Sequence, residues 1–395
     1  MKKILVSLFI LINIQLSVFS QVNNIQQIVD SIKTNFVPDS RVCIYNINTK
    51  NTENVPTICG EISDKLIYDK LILSLKNYTL QYKDSIRLLP DKKIFGDSCW
   101  AFVPLSVINI SSKPFFAAEI VSQTLMGTPV KLLDKTKYGW FQIQTPDGYI
   151  GWTSTELIGI TEKQLKEINS KDKIIVTVHN AFVYEKKHKN SPIIADLVMG
   201  NLVTLTGKFI ANDFCEVLLA DGRKGYVNTC EATLFSSWKK TIRLTGDNLV
   251  NLSKEFYGLP YFWGGTSTRG LDCSGFTKTM YYMHGIILPR DASQQFLYGE
   301  SIDTNSGFNK LQKGDLLFFG KKDENDINRS KISHVAMYIG NNQYIHSSNT
   351  VHVSSFNSEH VNYDESNHKR FVGAKRFIGV KPNGFWSIFD HEWYK

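Results

Sequence analysis

Cysteine is scarce in this chain of 395 residues: Cys43, Cys59, Cys99, Cys215, Cys230 and Cys273 are few and widely spaced, which excludes a disulfide-built scaffold. No C-x-x-C pair occurs, and no H-E-x-x-H. His352, His360 and His368 recur near Asp364 and Glu365 without ligand spacing, so no metal site is expected, and no cofactor. Lys and Arg form no block despite a net charge of +8, which removes the footprint of a nucleic-acid binder; the mildly basic balance suits an anionic wall or is an ordinary solvated surface. Past the N-terminus no apolar run approaches the length of a membrane span.

The one long apolar run, Ile4 to Ile14, follows Lys2-Lys3 and precedes Val18-Phe19-Ser20. That order reads as a secretory signal over residues 1–20, with Gln21 first after cleavage and no cysteine there to carry a lipid anchor. The chain is therefore expected to be exported, periplasmic or extracellular, with no membrane anchor and a monomer as the default state. With 42% hydrophobic and 12% aromatic residues, it can bury two or three cores.

Ile25 to Phe36 and Asp64 to Leu75 carry helical spacing, and residues 21–105 read as an N-terminal cap of otherwise mixed character. Ile120 to Glu156 aligns with Ile194 to Glu231 as a degenerate repeat. Each copy alternates short strands and contains an Asp-Gly turn, Asp147-Gly148 in one and Asp221-Gly222 in the other, which argues for a small β-barrel at 106–162 and another at 173–238. Thr161 to Lys173, rich in Lys, Glu and Asn, reads as the linker between them. Cys215 and Cys230 fall in neighbouring strands of the second unit, where a pair and two free thiols are equally good readings. From Lys239 a third unit begins, with a helix starting near Asp247 that places Leu249, Leu252 and Phe256 on one side.

That third unit carries the chemistry. Tyr261-Phe262-Trp263-Gly264-Gly265 leads into Leu271-Asp272-Cys273-Ser274-Gly275-Phe276, and Phe276, Met280 and Met283 then recur at helical spacing before Gly285. Cys273 thus lies in the first turn of a helix, where unpaired N–H groups and the positive dipole end are expected to lower a thiol pKa. Ser333 to Gly340 reads as a strand with His334, Ala336 and Tyr338 on one face; after Asn341-Asn342, Gln343 to Ser347 reads as its hairpin partner carrying His346. The order nucleophile, base, orienter is that of a Cys-His-His triad.

YFWGG, LDCSGF, LPRDASQQ, KGDLLFF, HVAMYIG and YIHSS, taken together over residues 245–380, resemble the NlpC/P60 family of cell-wall cysteine peptidases. The resemblance implies an α+β chain in which a papain-like catalytic domain (239–395) follows two bacterial SH3-like barrels and a cap. It further implies cleavage of the bond between γ-D-glutamate and a diamino acid in peptidoglycan stem peptides. With the cap and SH3 pair, the chain is most similar to the dipeptidyl-peptidase VI type within that family. There an acid and a tyrosine of the first SH3 unit hold the free amine of L-Ala, and Glu119 and Tyr149 match them. The same resemblance gives Tyr261 a place lining the site, Asp272 a share in the amine end, Ser274 a contact to the D-glutamyl part, and Arg290 and Asp291 a place facing substrate. Ala292 stands where many relatives carry Ser. The polar insertion Lys321 to Lys331 reads as a solvated loop. Two other readings use parts of the same pattern: an amidase or acyltransferase with the same Cys-His pair, and a wall-binding SH3 protein without catalysis.

Overall fold

The computed structural model describes residues 20–395 apart from 38, 54 and 78–80, so the signal reading, Ser20 excepted, lies outside the described residues. The cap is a helix through residues 20–36 and a three-stranded sheet of Tyr45–Thr52, Val55–Ile62 and Lys83–Leu88. The last two strands are parallel, so the helix Lys65–Asn77 must cross over between them. Its Ile67, Leu71 and Leu75, spaced by four, bury one stripe against Ile25, Val29, Ile58 and Ile62.

The first SH3-like unit is a six-stranded sheet that begins at Trp100, ahead of the boundary expected at 106, and the second is a seven-stranded sheet from Lys173 to Leu234. Both are built of antiparallel pairs, and their hydrogen-bonded strand orders run open from first strand to last. In each, the Asp-Gly turn puts its glycine at positive φ, 82° at Gly148 and 88° at Gly222. Cys215 is buried in the second core and Cys230 is exposed; all six cysteines are free, so the paired alternative is not adopted.

The expected linker is a helix, Glu162–Asn169. Thr161 and Gln164 form a capping box at its start, Leu165 is buried beneath it, and Asn169 Nδ2 donates to Trp393 O at 2.8 Å. Its polar composition is that of the solvent face of a short helix, and the T-x-x-Q box was the signal for it.

In the third unit, the helix Gly246–Glu255 buries Leu249 and, just past its end, Phe256. A six-stranded antiparallel sheet runs in the order 300–302, 371–376, 316–321, 331–340, 343–348, 350–355. The helix Cys273–Tyr282 lies against the strands Lys331–Gly340 and Gln343–Ser348, joining Phe276 and Met280 to Val335, Met337 and Ile345 in one core. Ala336 and Tyr338 belong to the opposite face with Phe319 and Tyr344, and the His334 ring lies 5.7 Å from that of Phe319. The hairpin between the two strands turns on Asn341 and Asn342, at φ 53° and 57°. The insertion before the His334 strand is exposed and holds a 3-10 turn, Ile327–Arg329.

Candidate active site

Asp272 is the N-cap of the Cys273 helix, its Oδ1 accepting the Gly275 N–H at 2.7 Å. Gly275 is there because a Cβ would meet Gly265 O at 1.9 Å: the first turn presses directly on the Gly-rich loop. Gly264 does the same on the other side, with φ 79° and room for no Cβ, which would come to 2.4 Å from Ile120 O of the first SH3-like unit. That close approach brings Glu119, the next residue back, beside the catalytic loop, where Trp263 Nε1 donates to Glu119 Oε1 at 2.9 Å.

Cys273 lies in a cleft of about 470 Å³. The same cleft is lined by Glu119 and Tyr149 from the first SH3-like unit, by Tyr261, Asp272 and Ser274 around the thiol, and by Arg290 and Asp291. Every substrate residue expected from sequence is therefore gathered with the thiol in one place. Ile332 and Ser333 line it as well, immediately before His334. The backbone N–H groups of Val335, immediately after His334, and of Ser274 favour the ionised form of the Cys273 thiol.

The imidazoles form a chain. His334 Nε2 is 2.7 Å from His346 Nδ1, and His346, 1% exposed, turns its Nε2 to His352 Nε2 at 3.1 Å and Ser354 Oγ at 3.2 Å. The ladder pairs Met337 with Ile345 and Tyr338 with Tyr344. Continued one step, it sets Ala336 opposite His346 and makes His334 the diagonal neighbour, within reach of a ring though not directly across.

The thiol is the main correction to the sequence reading. Burial, reinforced by the Asp272 carboxylate, pushes the Cys273 pKa up to about 12, because the withheld solvation outweighs the N–H groups of Val335 and Ser274. Burial likewise lowers His334 to about 4, and it holds His346 well below the ordinary imidazole range. The resting site thus contains a neutral thiol and neutral imidazoles. Burial also raises the phenols of Tyr149 and Tyr261, which stay protonated as hydrogen-bond donors.

Asp272 and Arg290 are committed to each other. Arg290, 1% exposed, donates to Asp272 Oδ2 at 2.5 Å, to Ser274 Oγ at 2.9 Å and to Ser122 Oγ at 3.1 Å. Asp272 also accepts the Gly264 N–H at 3.0 Å. The pair fastens helix, loop and first SH3-like unit together. A second buried ion pair, Lys278 with Asp147, fastens the same helix to the same unit.

Arg41, from the cap, was not anticipated. It lines the cleft, donating from Nη1 to Asp291 Oδ2 at 2.7 Å and to Ser293 Oγ at 3.0 Å, while Asp39 holds its other edge. Burial raises the Asp291 carboxyl, and Arg290 and Arg41 draw it back. No local motif marks Arg41: its partners in the catalytic unit are about 250 residues away. His360 and His368, noted for their spacing, bond Ser355 Oγ and Tyr363 OH, apart from the site.

Residues 258–370 match the NlpC/P60 family, and residues 110–156 match the bacterial dipeptidyl-peptidase SH3 domain. A γ-D-glutamyl-L-lysine dipeptidyl-peptidase of Bacillus cereus is 34% identical over 242 residues, 58% of this chain and 68% of that protein. The chain belongs to the NlpC/P60 family of cysteine peptidases. Dipeptidyl-peptidase 6 of Lysinibacillus sphaericus is 28% identical over 63% of this chain and 87% of its own. A crystal structure of an NlpC/P60 family protein from Bacillus cereus superimposes with a TM-score of 0.58 at 26% identity, covering 70% of this chain and 99% of that one. The family match begins just before the Tyr261 loop, and the SH3 match contains Glu119 and Tyr149. Among the described residues no helix is long and apolar enough to cross a membrane.

Proposed function

We propose that the protein is an exported γ-D-glutamyl-diamino acid endopeptidase that acts on peptidoglycan stem peptides with a free N-terminal L-Ala. The observation that carries this reading is that one cleft is lined by Cys273 and, from outside the catalytic domain, by Glu119, Tyr149 and Arg41. A cleft closed by a carboxylate and two phenols suits a short acyl group ending in an ammonium, and an acylated amine leaves that carboxylate unpaired.

His334 accepts the Cys273 proton, and the thiolate attacks the γ-carbonyl of D-glutamate. The tetrahedral adduct collapses to a thioester as the bond to the diamino acid breaks, and His334 returns the proton to the leaving amine. Water, deprotonated by His334, then releases the acyl group and restores the thiol. Cys273 is the first residue of its helix, where the backbone N–H has no intrahelical acceptor and can serve the oxyanion. Ser274 and Arg290 present polar groups to the glutamyl part, Asp291 and Tyr261 complete the wall, and His346 orients His334.

Mass spectrometry of L-Ala-γ-D-Glu-diaminopimelate digests, with and without N-acetylation of the alanine, tests the reading. L-Ala-γ-D-Glu is expected only from the free-amine peptide, and Glu119→Gln is expected to lower kcat/KM on it by roughly 10- to 100-fold, the equivalent of 1.4–2.7 kcal/mol. Equal cleavage of the blocked peptide would overturn the amine-recognition part.

The pH profile gives a second test. His334 must be neutral to accept the proton, so kcat/KM is expected to fall only as pH drops through about 4. The thiol is pushed up to about 12, so no rise in rate is expected between pH 7 and 9, where an ordinary thiol ionises. An acid limb at the unperturbed imidazole value of about 6.5 would contradict the neutral-pair site.

A further inference from the structure

The strand beyond His346 carries His352 directly opposite it in the ladder. Its two ring nitrogens have different neighbours: Nδ1 lies 2.9 Å from Thr350 O, and Nε2 lies 3.1 Å from His346 Nε2. From this geometry we infer that His352 is a positioning residue that fixes which nitrogens of His346 and His334 carry protons, leaving His334 Nδ1 with the lone pair that the proposed base needs. The inference rests on the peptidase reading above and deepens it.

The argument runs along the chain of rings. A backbone carbonyl only accepts, so His352 Nδ1 carries a hydrogen and its Nε2, in the neutral ring, is a lone pair. His346 Nε2 must then donate to it, which leaves His346 Nδ1 as an acceptor. His334 Nε2, 2.7 Å away, must donate to that acceptor, and the remaining nitrogen, His334 Nδ1, is the one able to take a proton. Burial keeps both inner rings neutral, so each has one hydrogen to place and one lone pair. Ser354 Oγ, 3.2 Å from His346 Nε2, does not decide the matter, because a hydroxyl both donates and accepts. The polarity originates in the Thr350 carbonyl and needs the imidazole of His352 to carry it across the strand. Without that ring, His346 can place its hydrogen on Nδ1, donate to His334 Nε2, and force His334 to carry its own hydrogen on Nδ1, where the proposed base needs a lone pair.

Two substitutions separate this role from simple packing. In His352→Gln, the side-chain amide can donate to Thr350 O and its carbonyl can accept from His346; His352→Leu supplies neither. His352 is only half-buried, so both variants are expected to fold, as judged by thermal melting. With the L-Ala-γ-D-Glu-diaminopimelate peptide, His352→Leu is expected to lower kcat by roughly 10- to 100-fold with KM within about twofold, and His352→Gln to retain most of the activity. In ¹⁵N-histidine spectra of the mature chain, His334 and His346 are expected to carry the hydrogen on Nε2, and His352→Leu to lose that single tautomer. An unchanged kcat in His352→Leu, equal losses in Leu and Gln, or an Nδ1–H signal at His346 in the unaltered protein would overturn the inference. If the unaltered protein cleaves normally and His352→Leu leaves kcat unchanged, only this inference fails. If it cleaves nothing, the peptidase reading fails and the spectra still decide the tautomers.

Discussion

Cys273→Ala is expected to abolish release of L-Ala-γ-D-Glu, lowering kcat/KM by on the order of 10⁴-fold or more while leaving the fold intact. Cys273 begins its helix and is 8% exposed, and alanine is the residue a helix accepts at least cost, so the loss should be catalytic and not structural. The size of the effect follows from the absence of a substitute. The neighbouring hydroxyl, Ser274, is held by Arg290 Nη1 at 2.9 Å and donates to Asp272, which is paired with Arg290, so it has no imidazole base to activate it as a nucleophile. Cys273→Ser should be nearly as inactive, since an alkoxide is far harder to generate than a thiolate with the imidazole at His334. Chromatography with mass detection of the dipeptide, on protein whose melting temperature matches the unaltered chain, measures this directly. Residual activity above a tenth in either variant would remove Cys273 as nucleophile and favour the wall-binding or alternative acyl-transfer readings.

Arg290→Met is expected to be the most damaging single change to stability, at about 3–5 kcal/mol. The guanidinium is the ionic partner of a carboxylate that is itself 6% exposed, so its removal strands Asp272 as a buried charge. Asp272 must still cap Gly275 and hold Gly264, and a carboxylate that protonates to escape its isolation holds those N–H groups less well. Adding Asp272→Asn should restore a large part of the loss, because an amide oxygen caps without carrying charge. Urea denaturation of the two single variants and the double variant gives the coupling energy. A loss below about 1 kcal/mol for Arg290→Met, or strict additivity, would show that the pair does not fasten loop, helix and SH3-like unit as the contacts indicate.

The helices beginning at 65, 246 and 273 were legible because each buries residues spaced by three and four, and the hairpin at Asn341-Asn342 because both positions need positive φ. The residues expected at the substrate were picked out through their motifs, and all of them line the cleft. Other features were not. The parallel pairing in the cap depends on a crossover whose strands are separated by a helix. The 162–169 helix reads as a linker because its apolar content is only Leu165, which is buried, and the half-buried Ile168. Arg41 enters the cleft from a segment that has no motif of its own.

By itself the sequence determined the order of units, a cysteine at a helix start, the two histidines on adjoining strands and the family, since these depend on local spacing and on motifs contiguous in the chain. Only the tertiary structure decided the electrostatics and the company each group keeps. The helix start argued for a lowered thiol pKa, yet burial raised it, because desolvation is summed over everything packed around Cys273 and no local pattern records that sum. Likewise the proton order along His334, His346 and His352 is set by a carbonyl at Thr350, and which rings face it depends on strand register in three dimensions.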